Sequence, residues 1–245
     1  QRTDAWGGSL ENRARIHLEI IKKCREDVGN DFAISIKLNS ADFQKGGFSP
    51  EDSIQVAKLF SDSGIDNIEI SGGTYEQPRL LGLDKVSINP KRSENRKEST
   101  IAREAYFLSY AEEIAKVVNI PLMVTGGFRT KEGMEAALRD GACEIVGVGR
   151  PLCANPYAIK ELLSGQIDEL PKYEKTLSIG PWWLSPTSPF RLIQAINAFS
   201  AQAWFYQQIK KMGKGLMPDL NLKPWKAFRE DAKADQEAIK EYQNF

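Results

Sequence analysis

Ile120-Pro121-Leu122-Met123-Val124-Thr125-Gly126-Gly127 and Cys143-Glu144-Ile145-Val146-Gly147-Val148-Gly149-Arg150 decide the fold. Each is a short apolar run that stops at glycine, and a helical pattern lies between them, capped by Thr130 and ended at Gly141. Such runs are strands, and strands separated by helices pair in parallel. The same unit recurs upstream. AISIKL (33–38) and IDNIEI (65–70) read as strands. Residues 9–28 read as a helix capped by Ser9, with Ile20, Ile21, Cys24 and Val28 as its apolar stripe. Ser49-Pro50-Glu51-Asp52 opens another helix that runs to Gly64. A third spans about 101–118 with Ala111, Ile114, Ala115 and Val118 inward, and Asn155-Pro156 starts a last short one that ends at Gly165.

Apolar, β-branched strands of this kind are expected to be covered on both faces. A doubly wound sheet and a (β/α)8 barrel both offer that. No G-x-G-x-x-G opens a first strand–helix turn, whereas glycine corners after late barrel strands are a usual phosphate position. The expectation is therefore an α/β fold of the TIM (β/α)8 barrel type. It is incomplete, with four β/α units where eight close a barrel. Residues 1–166 form this part. Residues 167–245 form an aromatic-rich helical extension, in which Leu192, Ile196, Phe199, Ala203 and Tyr206 are expected on one packed face. The polar stretch 74–99 has no periodicity and is long for a loop in a compact domain.

Composition narrows the function classes. The chain has 245 residues, with 33 Lys+Arg balancing 33 Asp+Glu, so the basic excess of a nucleic-acid binder is missing. Three cysteines without paired spacing favour neither a disulfide framework nor a zinc site. No signal-type segment opens the chain and no apolar run is long enough to span a bilayer, so a cytoplasmic location is expected.

Two corners carry the chemistry. Gly126, Gly127 and Phe128 after one strand, with Gly149 and Arg150 after the next, let backbone N–H groups and one guanidinium approach an anion; glycine used merely to turn is the alternative. Lys37 stands inside an apolar strand and needs a negative or electron-rich partner, either a ligand or a carboxylate such as Asp42 or Glu69. His17 is the single histidine, which leaves no local metal cluster or triad. Cys24, Cys143 and Cys153 read as small buried hydrophobes. Ser71 and Tyr75 follow the second strand, where barrel ligands bind.

Arg2-Thr3-Asp4-Ala5-Trp6-Gly7-Gly8-Ser9-Leu10-Glu11-Asn12-Arg13 closely resembles the R-T-D-x-[YW]-G-G-S-x-E-N-R signature of the Old Yellow Enzyme family of FMN-dependent NADH:flavin oxidoreductases. Lys37-Leu38-Asn39-Ser40, Asp42-Phe43, Gly46-Gly47-Phe48 and Ile70-Ser71-Gly72-Gly73-Thr74-Tyr75-Glu76 are similar to its NADH-oxidase-like branch. Gly126-Gly127-Phe128-Arg129-Thr130 and Gly149-Arg150-Pro151-Leu152 match its two FMN-phosphate corners. The resemblance covers about residues 1–166.

It implies an FMN-dependent oxidoreductase of ene-reductase type, passing hydride from NAD(P)H through FMN to an activated alkene or similar small-molecule acceptor. Gly126, Gly127, Phe128, Gly149 and Arg150 would hold the FMN phosphate. Lys37 would face the pyrimidine edge of the flavin, keeping the charge of the family's frequent arginine without its fork. Tyr75 is a weak substrate contact. The family's His/Asn pair and proton-donating tyrosine come just before the R-T-D signature, which places them upstream of Gln1. No catalytic residue is therefore assigned within 1–245, and the chain reads as the C-terminal half of a truncated enzyme. The alternative is a non-catalytic FMN-binding half-barrel that works only with an N-terminal partner half or by self-association. For the tail, packing on neighbouring helices is favoured over peripheral membrane contact.

Overall fold

In the computed structural model, residues 2–42, 46–72 and 107–243 are described. Gln1, the position upstream of which the resemblance puts the catalytic side chains, lies outside the described residues. Those described fall into two compact units that meet in the chain between Val148 and Gly149.

The first unit is built on a parallel sheet. Its strands are β1 (Ser35–Asn39), β2 (Asn67–Ser71), β3 (Leu122–Thr125) and β4 (Ile145–Gly147), paired in chain order. The register sets Lys37 beside Glu69, Glu69 beside Met123 and Met123 beside Ile145. Among the described residues the barrel does not close, and β1 and β4 each have one strand neighbour.

The helices of this unit are α1 (Leu10–Val28), α2 (Pro50–Asp62), α3 (Leu108–Ala115) and α4 (Lys131–Arg139). Their starts follow the sequence closely. The side chains of Ser9, Ser49 and Thr130 accept from the N–H groups of Asn12, Asp52 and Gly133, each satisfying a helix-end donor. Ile68, Ile70, Leu122 and Val124 point to the helices and are essentially inaccessible, with Phe60, Ala111, Ile114 and Phe128 packed among them.

Burial of both strand faces is corrected by the structure. Only alternate positions are buried. Lys37 and Ile145 are exposed, and Glu69, Met123 and Thr125 are half-buried on the opposite face. Helices on one side and, among the described residues, no facing layer on the other give period-2 burial. The stripe on α1 also shifts. Ala14 and Ile21 are buried, with Leu10 and Leu18 packed alongside, while Ile20, Cys24 and Val28 are exposed.

The inward line on α1 ends at Arg25, which ties three chain segments together. Its Nη1 donates to Gly29 O and Phe32 O, both at 2.8 Å. Its Nη2 donates to Gly64 O at 2.9 Å and to Asp66 Oδ2 at 2.5 Å. The Asp66 carboxylate also accepts the Ile34 N–H at 2.7 Å, and these two contacts hold its pKa below the usual aspartate range, the Ile34 N–H contributing most.

The second unit begins with two short helices, α5 (Arg150–Ala154) and α6 (Ala158–Leu163). Gly149-Arg150-Pro151 reads in sequence as a strand end, and α5 is not evident there, because a helix of five residues leaves no periodic signal. Single 3-10 turns at Tyr173–Lys175 and Trp182–Leu184 lead to a hairpin of α7 (Arg191–Met212) and α8 (Pro224–Gln243). Its centre is Trp204, which is 1 % exposed and has Tyr173, Phe205 and Leu222 around it.

The packed face of α7 differs from expectation. Of the five residues named, only Ala203 is buried; Ile196 is partly buried, and Leu192, Phe199 and Tyr206 are exposed. The buried line instead carries Asn197, Ser200, Trp204 and Gln208. Polar residues bury here because two of them are fully used. Asn197 Nδ2 donates to Leu184 O and Ile193 O at 2.8 Å, and its Oδ1 accepts Ile179 N–H at 3.0 Å. Gln208 exchanges both bonds with the Asp219 backbone. Among the described residues no helix is long and apolar enough to cross a membrane.

Candidate functional site

The C-terminal end of β3 is shaped by glycine. Gly126 and Gly127 have φ of 118° and 90°, values that a side chain disfavours strongly. On either side the corner is fixed. Phe128 is 1 % exposed and its side chain belongs to the core. Arg129, 6 % exposed, donates from Nη1 to Phe128 O at 2.7 Å, and Thr130 then caps α4. Arg129 stands in the sequence motif with no role assigned to it. Its burial next to the glycines is a feature that only the fold reveals.

Gly147, the register partner of Thr125, is needed for a different reason. A Cβ there would collide with Thr125 Oγ1 and Met123 Cε, which lean over it. Among the described residues, Thr125 Oγ1 is buried and finds no hydrogen-bond partner. This hydroxyl lies next in the chain to the two glycines of the corner.

Gly149 caps α5 from the second unit, and a Cβ added to it would meet nothing within 4 Å. Arg150 opens that helix, with Nη1 3.8 Å from Glu174 Oε1, too long for a tight ion pair. The Cys153 thiol lies 3.7 Å from Gly149 O. Burial pushes its pKa up and outweighs the nearby Arg150, so it is no activated thiolate. Cys143 is raised in the same way, by burial and then by Glu144.

Lys37 has its carboxylate. Nζ lies 2.7 Å from Glu69 Oε1, straight across the β1–β2 ladder, with the lysine side chain 56 % and the glutamate 20 % exposed. Asp42, the other partner considered, is occupied elsewhere. It accepts Phe48 N–H at 2.9 Å and Asn39 Nδ2 at 3.3 Å and so closes the loop after β1. Lys37 still projects from the face opposite the helices, with its amino group accessible. Ser71 contributes backbone: its carbonyl accepts Ser40 N–H at 2.6 Å. Tyr75 lies outside the described residues, as does the 74–99 stretch. His17 is exposed and rests its ring 5.8 Å from that of Phe60.

The N-terminal signature turns out to fold on itself. Arg2 Nε donates to Asp4 Oδ1 at 3.0 Å and Arg2 Nη2 to Asp4 Oδ2, while Asp4 Oδ1 also accepts Trp6 N–H. Asn12 Nδ2 reaches Gly7 O at 3.1 Å and Arg15 Nε reaches Ala5 O at 2.8 Å, docking the turn on α1. Gly7 is required because a Cβ would meet Arg2 Cβ and the Arg2 carbonyl. In this chain the signature is a helix-entry brace.

Comparison with known proteins gives the family. Residues 1–169 match the NADH:flavin oxidoreductase / NADH oxidase family. The chain is 39 % identical over 168 residues to the NADH-dependent flavin oxidoreductase iliE of Hypocrea jecorina, covering 66 % of this chain and 39 % of that one. It is 33 % identical over 218 residues to the NADH-dependent flavin oxidoreductase iccE of Talaromyces variabilis, covering 87 % and 50 %. The NADH oxidase of Thermoanaerobacter brockii is 33 % identical over 212 residues, 86 % of this chain and 30 % of its own. The chain thus spans at most about half the length of these relatives.

Among solved structures, a 2-naphthoyl-CoA reductase aligns with TM-score 0.56 and 30 % identity over 69 % of this chain and 24 % of its own. Histamine dehydrogenase from Rhizobium sp. 4-9 aligns with TM-score 0.52 and 24 % identity over 68 % and 22 %, a likeness of fold. With a parallel sheet, glycine corners and a family match over more than two thirds of its length, the chain belongs to the NADH:flavin oxidoreductase / NADH oxidase family.

Proposed function

We propose that this chain is the flavin-holding part of an FMN-dependent oxidoreductase that passes hydride from NAD(P)H to a small-molecule acceptor such as an activated alkene. The paired strand ends carry the reading: Thr125-Gly126-Gly127 leaves β3 opposite Gly147, two residues before Gly149-Arg150. The residues fit a phosphate there. Two glycines at positive φ and a buried Thr125 hydroxyl with no partner among the described residues are features of the kind a phosphate uses. Gly126, Gly127, Phe128 and Gly149 would contribute backbone N–H groups and Arg150 a charged contact. Bound FMN supplies the hydride relay between nicotinamide and acceptor. Lys37 would hold its ammonium at the pyrimidine edge and stabilise negative charge there, with Glu69 fixing its position. Residues 1–166 serve this role, and 167–245 form the helical extension.

A second reading is a half-barrel that binds FMN but turns over only with a partner half. The single-neighbour edges of β1 and β4 and the exposed Ile145 favour it.

Flavin fluorescence titration tests the site. FMN should bind at least about tenfold more tightly than riboflavin, and Arg150→Ala should abolish most of that difference. Equal affinity for the two flavins would remove the phosphate assignment. Turnover of NADH with an enone by this chain alone, against turnover only after adding an N-terminal half, separates the two readings.

A further inference from the structure

Arg150, the charged contact assigned to the flavin phosphate, stands on α5, and α5 is packed by the helical extension within the second unit. The last residue of α5, Ala154, is 4 % exposed and shares a cluster with Leu177, Ala203, Trp204 and Ala227. The extension also comes back to Arg150 directly. Its 3-10 turn Tyr173–Lys175 sets Glu174 Oε1 3.8 Å from Arg150 Nη1, with the two side chains 22 % and 34 % exposed. That turn is held on both sides of the glutamate. Tyr173 lays its ring 6.0 Å from that of Trp204, and its carbonyl accepts both the N–H and the hydroxyl of Thr176 at 2.9 Å. Lys175 N–H donates to Lys172 O at 2.9 Å.

We propose that Glu174 is the resident counter-ion of Arg150, through which the helical extension competes with the flavin phosphate for one guanidinium. The inference rests on the assignment of Arg150 to that phosphate. Its starting point is the separation. Other ion pairs between elements of this unit close to hydrogen-bond distance, Lys210 with Asp231 at 2.6 Å and Lys211 with Asp219 at 3.1 Å. The Arg150 pair stops at 3.8 Å, where charge is felt but no hydrogen bond is made. Glu174 thus biases the guanidinium without consuming its fork of donors. A phosphate, with more charge and more acceptor oxygens, can draw the guanidinium away and bind it at two points. It must first offset the attraction of the carboxylate. Riboflavin has no phosphate and does not enter this competition. The extension thereby acquires a role in the flavin site: it lowers the affinity for the phosphorylated flavin and leaves the ring system alone.

Fluorescence titration of the full chain with FMN and with riboflavin reads the effect. Glu174→Gln keeps the shape of the side chain and removes its charge. It should tighten FMN binding about three- to tenfold and leave riboflavin within about twofold. Glu174→Asp, which keeps the charge, should stay closer to the unsubstituted chain than to Glu174→Gln. In an Arg150→Ala background the gain from Glu174→Gln should vanish. Circular dichroism checks folding, and Glu174→Ala, which removes the carboxylate in another way, should give the same gain. A carboxylate that orients Arg150 toward phosphate has the opposite signature, so weaker FMN binding by Glu174→Gln would overturn the proposal. So would an equal shift for both flavins, or a gain that survives Arg150→Ala. Equal affinity of the unsubstituted chain for the two flavins would remove the phosphate assignment and this inference with it. A preference for FMN that Glu174→Gln leaves unchanged would remove this inference alone.

Discussion

The sheet unit and the α7–α8 hairpin bury different mixtures in their interiors. Around β2 and β3 the hidden residues are Ile68, Ile70, Leu122 and Val124, and polar side chains stand on the other face. In α7 the hidden line includes two amides, and apolar side chains stand outside. The first arrangement is held by removal of apolar area from water; the second adds to its apolar cluster of Leu177, Ala203, Trp204 and Ala227 a set of hydrogen bonds, among them Trp204 Nε1 to Leu222 O at 2.9 Å. Apolar burial tolerates no cavity but accepts many shapes. Amide burial accepts one geometry and fails when a partner is lost.

Substitutions should separate the two. Ile68→Ala opens a cavity at a site with no exposure and should cost about 2–5 kcal/mol in urea unfolding. A loss under about 1 kcal/mol would mean that the sheet core is loosely packed. Asn197→Leu keeps the branched shape but strands the Leu184 carbonyl and the Ile179 N–H, at about 1–3 kcal/mol. Hydrogen exchange should place that loss in residues 179–212, whereas Ile68→Ala should loosen the strands. If Asn197→Leu is neutral, the hairpin is held by apolar packing after all.

The smallest effect is at Asp66. Its carboxyl is held below the usual range by the Ile34 N–H and Arg25. Its contribution is therefore complete above the unfolded aspartate pKa of about 3.9 and is lost as pH falls through the lower folded value. Asp66→Asn should cost under about 1 kcal/mol at neutral pH, since the carboxylate is half exposed, and should flatten the acid limb of the stability curve. An unchanged acid limb would remove Asp66 from the account.

Sequence is informative where a local rule acts alone. Ser9, Ser49 and Thr130 cap as their residue types demand, and Gly64, Gly141 and Gly165 end helices at positive φ. The four strands follow from their apolar runs. What cannot be read depends on neighbours distant in the chain. The choice between Asp42 and Glu69 for Lys37 is made by the β1–β2 register. The inward face of α7 is chosen by Leu184, Asp219 and Leu222, which offer backbone groups that only amides and an indole N–H can answer. Arg129 stands in the sequence motif without a role, and its burial is visible only in the fold.

Arg25 bears on how this fold can be taken apart. Its side chain stays 19 % exposed, with acceptors supplied 39 and 41 residues later in the chain. The first strand–helix repeat is therefore not an interchangeable module: its closing contacts belong to the next repeat. Splitting the polypeptide between Phe32 and Gly64 leaves the cation on one fragment and its Gly64 and Asp66 acceptors on the other. Complementing fragments, circular permutants and chimaeras with related enzymes should place their joints after Gly72, where the first two repeats can travel together.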